Sequence, residues 1–190
     1  MATREQVDDL KAKMADERAT LIAAAQSLSR EDALRVPVDA EGEEQWTAVE
    51  QLAHLHEMER TYDAWVRAAL EKDGAELAGI PWQQVPIPIE QANNHDVATL
   101  LRNLETERSY TLGMIDGMSL EAFDRVGVSP MFGRLTILQW VRSFYRHDRQ
   151  HGVDTIQDAP VTWDHSARIL QVKPPLHGRL EQVASLPDQG

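Results

Sequence analysis

Trp46-Thr47-Ala48-Val49-Glu50-Gln51-Leu52-Ala53-His54-Leu55 is the stretch on which the fold turns. Thr47 followed three residues later by Glu50 is a capping box, in which each side chain satisfies an orphan backbone donor at a helix start. The capping use is the leading reading of Glu50. From Ala48 to about Lys72 the apolar residues Leu52, Leu55, Met58, Tyr62, Trp65, Val66 and Ala69 recur at helical spacing, so one face of a long helix belongs to a core. Gly74 and Gly79 end it, and Pro81, Pro86 and Pro88 keep the next segment extended. That segment, Ile80 to Glu90, reads as either a lid or a strap.

The same period recurs on both sides. Arg4 to Leu28 carries Val7, Leu10, Met14, Leu21, Ala25 and Leu28 on one face, with Asp8, Asp9, Lys11, Lys13 and Glu17 opposite. A third helix is expected from a cap at Asn94 or Asp96 through Val97, Leu100, Leu101, Leu104, Tyr110 and Ile115 to Met118, weakened near its end by Gly113 and Gly117. Thr136 and Gln139 repeat the capping-box pattern and open a fourth helix through Ile137, Leu138, Val141, Phe144, Tyr145 and Ile156, stopping before Pro160. Ser29–Gln45 and Ser119–Gly133 read as long connections, the latter with a Ser129-Pro130 turn. Four amphipathic helices predict an all-α, four-helix-bundle domain over residues 1–158, followed by a C-terminal extension over 159–190.

Composition narrows the function. The 190 residues carry a formal charge of −12, which argues against nucleic acid as the main partner because phosphate binding needs a basic footprint. The chain has no cysteine, so disulfides, thiolate metal sites and a thiol nucleophile are excluded. No apolar run approaches the roughly 20 residues of a membrane span, and Met1–Leu10 lacks an apolar signal core, so a cytoplasmic protein with no membrane partner is expected.

Seven histidines remain to be explained: His54, His56, His95, His147, His151, His165 and His177. His147 and His151 lie four apart on the fourth helix and project from the same face, where two imidazoles are able to hold one divalent ion. Two histidines on a solvated helix surface are the competing explanation. His54 and His56 lie early in the second helix, about 160° apart around its axis, so one ion takes one or the other. If the second and fourth helices run antiparallel, that early region meets the later half of the fourth helix, and three histidines converge. Other motifs fail. His56-Glu57-Met58-Glu59-Arg60 has Arg60 where a zinc-protease motif needs histidine, no Glu-x-x-His pair supports a di-iron centre, Gly127-Val128-Ser129-Pro130-Met131 lacks the last glycine of a nucleophile elbow, and no Walker or dinucleotide loop occurs. Asp148 reads first as an arginine salt-bridge partner and second as a support for a neighbouring histidine. Trp46, Trp65 and Trp140 read as core.

Two pieces together, Trp46 to Leu55 and His147-Asp148-Arg149-Gln150-His151, resemble the DinB-like (YfiT-like) metalloenzyme family of four-helix bundles. That family shows a Trp-Ser/Thr start, a Glu and Leu-x-His-Leu on its second helix, and His-x-x-x-His on its fourth. The resemblance covers roughly Arg4 to Asp158 and implies His54, His147 and His151 as metal ligands, with His56 a neighbour. It implies one divalent ion (zinc, nickel or iron) and a small-molecule substrate. It implies either a metal-dependent hydrolase or an S-transferase using a low-molecular-weight thiol, in a homodimer. An ion on three imidazoles keeps positions open for water or substrate, as catalytic sites do. A non-enzymatic module, with a structural ion or none, is the alternative. For a structural ion the sequence offers Glu59, His56 or His165 as a fourth ligand.

Overall fold

A computed structural model describes residues 1–36 and 45–154. The proposed extension over 159–190, the boundary at 158, Ile156, His165 and His177 lie outside the described residues. Five α-helices occur among those described: α1 (Arg4–Ser27), α2 (Arg30–Ala33), α3 (Ala48–Glu71), α4 (Val97–Asp116) and α5 (Ile137–Asp154). Four are the long helices of the bundle, and α2 is a single turn inside the connection expected to be irregular.

Local chemistry sets where the long helices begin. The Thr47 hydroxyl accepts from the Glu50 backbone N–H at 3.3 Å while the Glu50 carboxylate accepts from the Thr47 N–H at 2.8 Å. Asn93 adds a bond on each side, donating to Glu50 and accepting from the Thr47 hydroxyl, both at 2.8 Å. Thr3 and Gln6 form a second capping box, on α1. Asp96 caps α4 through the Thr99 N–H at 2.6 Å. Thr136 and Gln139 close the same reciprocal pair at the start of α5.

The core divides into two apolar clusters. One contains Met14, Met58, Tyr62, Trp65, Ile115, Phe123, Trp140 and Phe144. The other contains Leu21, Ala25, Val49, Leu52, Leu55, Leu100, Leu101 and Leu104. Reading α1, α3 and α4 from one cluster to the other gives their directions, and α5 runs from the first cluster, at Ile137 to Tyr145, to Gly152 beside Leu21 of the second, so α1 and α5 run one way, α3 and α4 the other. Helices α3 and α4 are therefore parallel neighbours, and the chain must travel back along the bundle between them. Leu77, Ile80 and Trp82 join the first cluster and Ile87, Ile89 and Ala92 the second, so this return segment is a strap packed along the bundle. Its far end is a 3-10 helix, Ile89–Asn94.

The second long connection is more ordered than its sequence suggests. It holds a 3-10 helix, Leu120–Asp124, and strands β2 (Val126–Ser129) and β3 (Gly133–Thr136), with β1 (Ala75–Glu76) parallel to β2 on the other edge. Strands of two to four residues are too short to show alternation in sequence. The turn lies where Ser129-Pro130 signals it: the Ser129 hydroxyl accepts from the backbone of Met131 and Phe132, and Gly133 takes φ +71. At Gly127 a Cβ would stand 2.9 Å from Leu77 Cδ1 and 3.1 Å from Trp140 Nε1, so any side chain there would force Leu77 and Trp140 to shift.

Between the two apolar clusters lies a buried charge box with one member from each long helix. Arg18 of α1 donates to Asp148 of α5 at 2.8 and 3.1 Å and to Glu59 of α3 at 2.6 Å. Arg108 of α4 donates to Glu59 at 2.6 and 3.1 Å and to Asp148 at 2.9 Å. The Thr111 hydroxyl and the carbonyls of Leu104 and Met14 complete the shell. Burial alone would raise the Glu59 carboxyl, but the charges and hydrogen bonds of the two arginines carry it below the usual carboxylate range. Two cations meet two anions, so four charges are buried without net charge. Replacing such a set with apolar residues is often harmless, whereas deleting one member strands the others.

Candidate metal centre

The antiparallel pairing of α3 and α5 sets the second turn of α3 beside the last turns of α5. His54 thereby faces His147 and His151. The His54 ring centroid is 5.0 Å from each of the other two, which are 4.4 Å apart, and all three approach edge to face. One ligand nitrogen from each lies within 4.8 Å of the others. His147 Nε2 and His151 Nε2 are 2.9 Å apart. Two nitrogens on one tetrahedral ion, at about 2.1 Å each, stand about 3.4 Å apart, so a small opening of the pair admits an ion.

The surroundings favour the ligating form of these rings. His54 is 4% exposed and His151 fully buried, while His147 keeps partial exposure. Burial drives the His147 imidazole well below its ordinary range, and the nearness of His54 and of the Arg18 guanidinium acts in the same direction. Burial does the same to His151, reinforced by His147. Neutral imidazoles are the species that bind metal. The donor set is all nitrogen, as zinc, nickel and iron accept, and among the described residues no carboxylate or fourth histidine joins the group.

Trp46 packs its ring 4.8 Å from that of His54, and the Tyr62 ring lies 6.0 Å from that of His147. Gln51, one turn before His54 on α3, accepts a hydrogen bond from His151 Nδ1. Gln51 has no role assigned from the sequence. Its one available signal was a polar residue three positions before a candidate ligand on a helix face otherwise apolar.

Other sequence candidates go elsewhere. His56 points to α4, its Nε2 3.4 Å from the Glu107 carboxylate. Glu59, a conceivable fourth ligand, is held by the two arginines and Thr111. Asp148 sits beside His147 in sequence, yet its carboxylate turns into the charge box, as its first reading has it. Trp65 and Trp140 are core, at 9% and 1% exposure, but Trp46 is half-buried against the histidine cluster rather than within either apolar cluster.

The described helices thus form a parallel-paired bundle with three imidazoles converging at one end. Residues 4–153 match the DinB superfamily, and the chain belongs to that superfamily. Its structure is similar to that of YfiT from Bacillus subtilis, described as a probable metal-dependent hydrolase with an unusual four-helix bundle topology. The TM-score is 0.66 at 13% identity, over 83% of this chain and 87% of the YfiT chain, a likeness of fold. No curated protein matches the chain. No described helix is long and apolar enough to cross a membrane.

Proposed function

We propose that His54, His147 and His151 hold one divalent ion, and that the chain is a metal-dependent hydrolase of a small molecule. The convergence of three imidazoles from two helices, without a fourth protein ligand among the described residues, carries this reading. Such an ion, when bound, supplies Lewis acidity and a means of activating water near neutral pH. The chain's own contribution is to bring the three rings together and to favour the neutral form of His147 and His151 by burial, with Trp46 and Tyr62 packed beside the cluster. The description of YfiT as a hydrolase supports the choice of reaction class over thiol transfer.

The test is metal analysis of tag-free protein followed by a substrate panel of esters and amides, with and without low-molecular-weight thiols. About one zinc, nickel or iron per chain and turnover lost to a chelator are expected. Turnover that demands a thiol would replace the hydrolase by an S-transferase. A bound ion with no turnover of any kind would leave a non-enzymatic metal-binding module. Undiminished metal loading in both His147→Ala and His151→Ala would overturn the ligand assignment. We also propose a homodimer, on the family resemblance, and light scattering at the 21.4 kDa of one chain would refute it.

A further inference from the structure

Gln51 lies 2% exposed and His151 fully buried, so water does not set which nitrogen of His151 carries its proton. The atom facing His151 Nδ1 is the Gln51 amide oxygen, which only accepts. We propose that Gln51 is a positioning residue that holds His151 as the Nδ1–H tautomer, keeping its Nε2 lone pair directed at the metal site. This deepens the three-histidine reading and rests on it.

The same geometry assigns His147. If His151 Nε2 carries a lone pair, the 2.9 Å contact between the two Nε2 atoms needs its hydrogen from His147. The metal-free site therefore holds two different tautomers, Nδ1–H at His151 and Nε2–H at His147. His151 is ready to ligate through Nε2 as it stands. His147, to ligate through the same atom, must release its Nε2 proton and take one up at Nδ1, an exchange its partial exposure to solvent allows. One helix, α3, thus provides both a ligand candidate, His54, and the orienting group for a ligand candidate on α5. Holding a ligating histidine through its other nitrogen is worth about 10–100-fold in metal affinity at characterised sites.

Gln51→Glu and Gln51→Leu separate the contributions. Glutamate keeps an acceptor at the same reach and removes the amide donor, while leucine removes both. Nitrogen-15 imidazole spectra of metal-free protein at pH 7.5 should show His151 as Nδ1–H and His147 as Nε2–H in wild type. Gln51→Glu should retain the His151 pattern and bind zinc within about threefold of wild type or more tightly, whereas Gln51→Leu should mix the tautomers and bind zinc about 10–100-fold more weakly. His151 found as Nε2–H in wild type, or Gln51→Glu behaving as Gln51→Leu, would overturn the proposal, because Gln51 would then be donating. So would Gln51→Leu with unchanged spectra and unchanged zinc affinity. The spectra need no metal. A wild-type protein that takes up no zinc but shows the two assigned tautomers would refute the metal reading and sustain the role of Gln51.

Discussion

Two buried polar clusters share the same helices and have opposite chemistry. The charge box of Arg18, Glu59, Arg108 and Asp148 satisfies itself, each guanidinium meeting both carboxylates. The histidine cluster contains no acid among the described residues, and burial pushes His147 and His151 toward neutrality. The clusters interleave: Asp148 lies between His147 and His151 in sequence, and Glu59 follows His54 by five residues on α3. About 100° of helical rotation per residue is enough to send neighbours to different clusters. A closed set of charges holds helices in place; the three imidazoles are the donors that the proposed function assigns to a cation.

The largest expected effect tests the closed cluster. Glu59→Ala leaves Arg18 and Arg108 short of a buried partner and should cost about 3–5 kcal/mol in denaturant unfolding. A loss under 1 kcal/mol would show that the box does not hold the bundle.

Asp63 sharpens the contrast, because it lies one turn beyond Glu59 and outside the box. Its buried Oδ1 has no hydrogen-bond partner among the described residues. Burial first, then the charges of Glu59 and Glu107, push its carboxyl up to about 7, against the pull of Arg67 and Thr111. The folded state then holds this proton more tightly than the unfolded chain, so Asp63 subtracts stability as pH rises from about 4 to about 7. Asp63→Asn should remove that slope and gain up to ~4 kcal/mol at pH 8. Parallel stability curves for the two proteins across that range would contradict it.

The open cluster should respond to metal rather than to denaturant. His147→Ala should lower zinc affinity at least tenfold, by competition with a chelator, while costing the metal-free protein less stability than Glu59→Ala does. Equal stability losses in His147→Ala and Glu59→Ala would erase the distinction between the clusters.

The smallest effect concerns the frame common to both. Thr47→Ala removes the cap of α3 and should cost about 1 kcal/mol without altering zinc affinity more than twofold. A large affinity loss would mean that the first turn of α3 positions His54 directly.

Much of this architecture was legible because it is local. A capping box closes within four residues and an amphipathic face repeats every turn, so Thr47, Glu50, Thr136 and Gln139 announce helices without reference to the rest of the chain. The His147–His151 pair was visible for the same reason. Its convergence with His54 followed only conditionally, on an antiparallel pairing that the structure supplies.

What required the tertiary structure was every relation between distant residues. The charge box joins residues up to 130 positions apart; Arg18 and Arg108 fall on the apolar stripes of their helices, between Met14 and Leu21 and between Leu104 and Ile115, but which acids they meet depends on the other helices. The strap could be told from a lid only once α3 and α4 were seen to be parallel. The short strands form because β2 has neighbours on both edges, which their own residues do not encode. Sequence alone determined the four long helices and which histidines share a face, since backbone hydrogen bonding and side-chain period act within a turn or two. Helix direction and rotation decided which buried groups meet, because those depend on how the apolar faces of all four long helices pack at once.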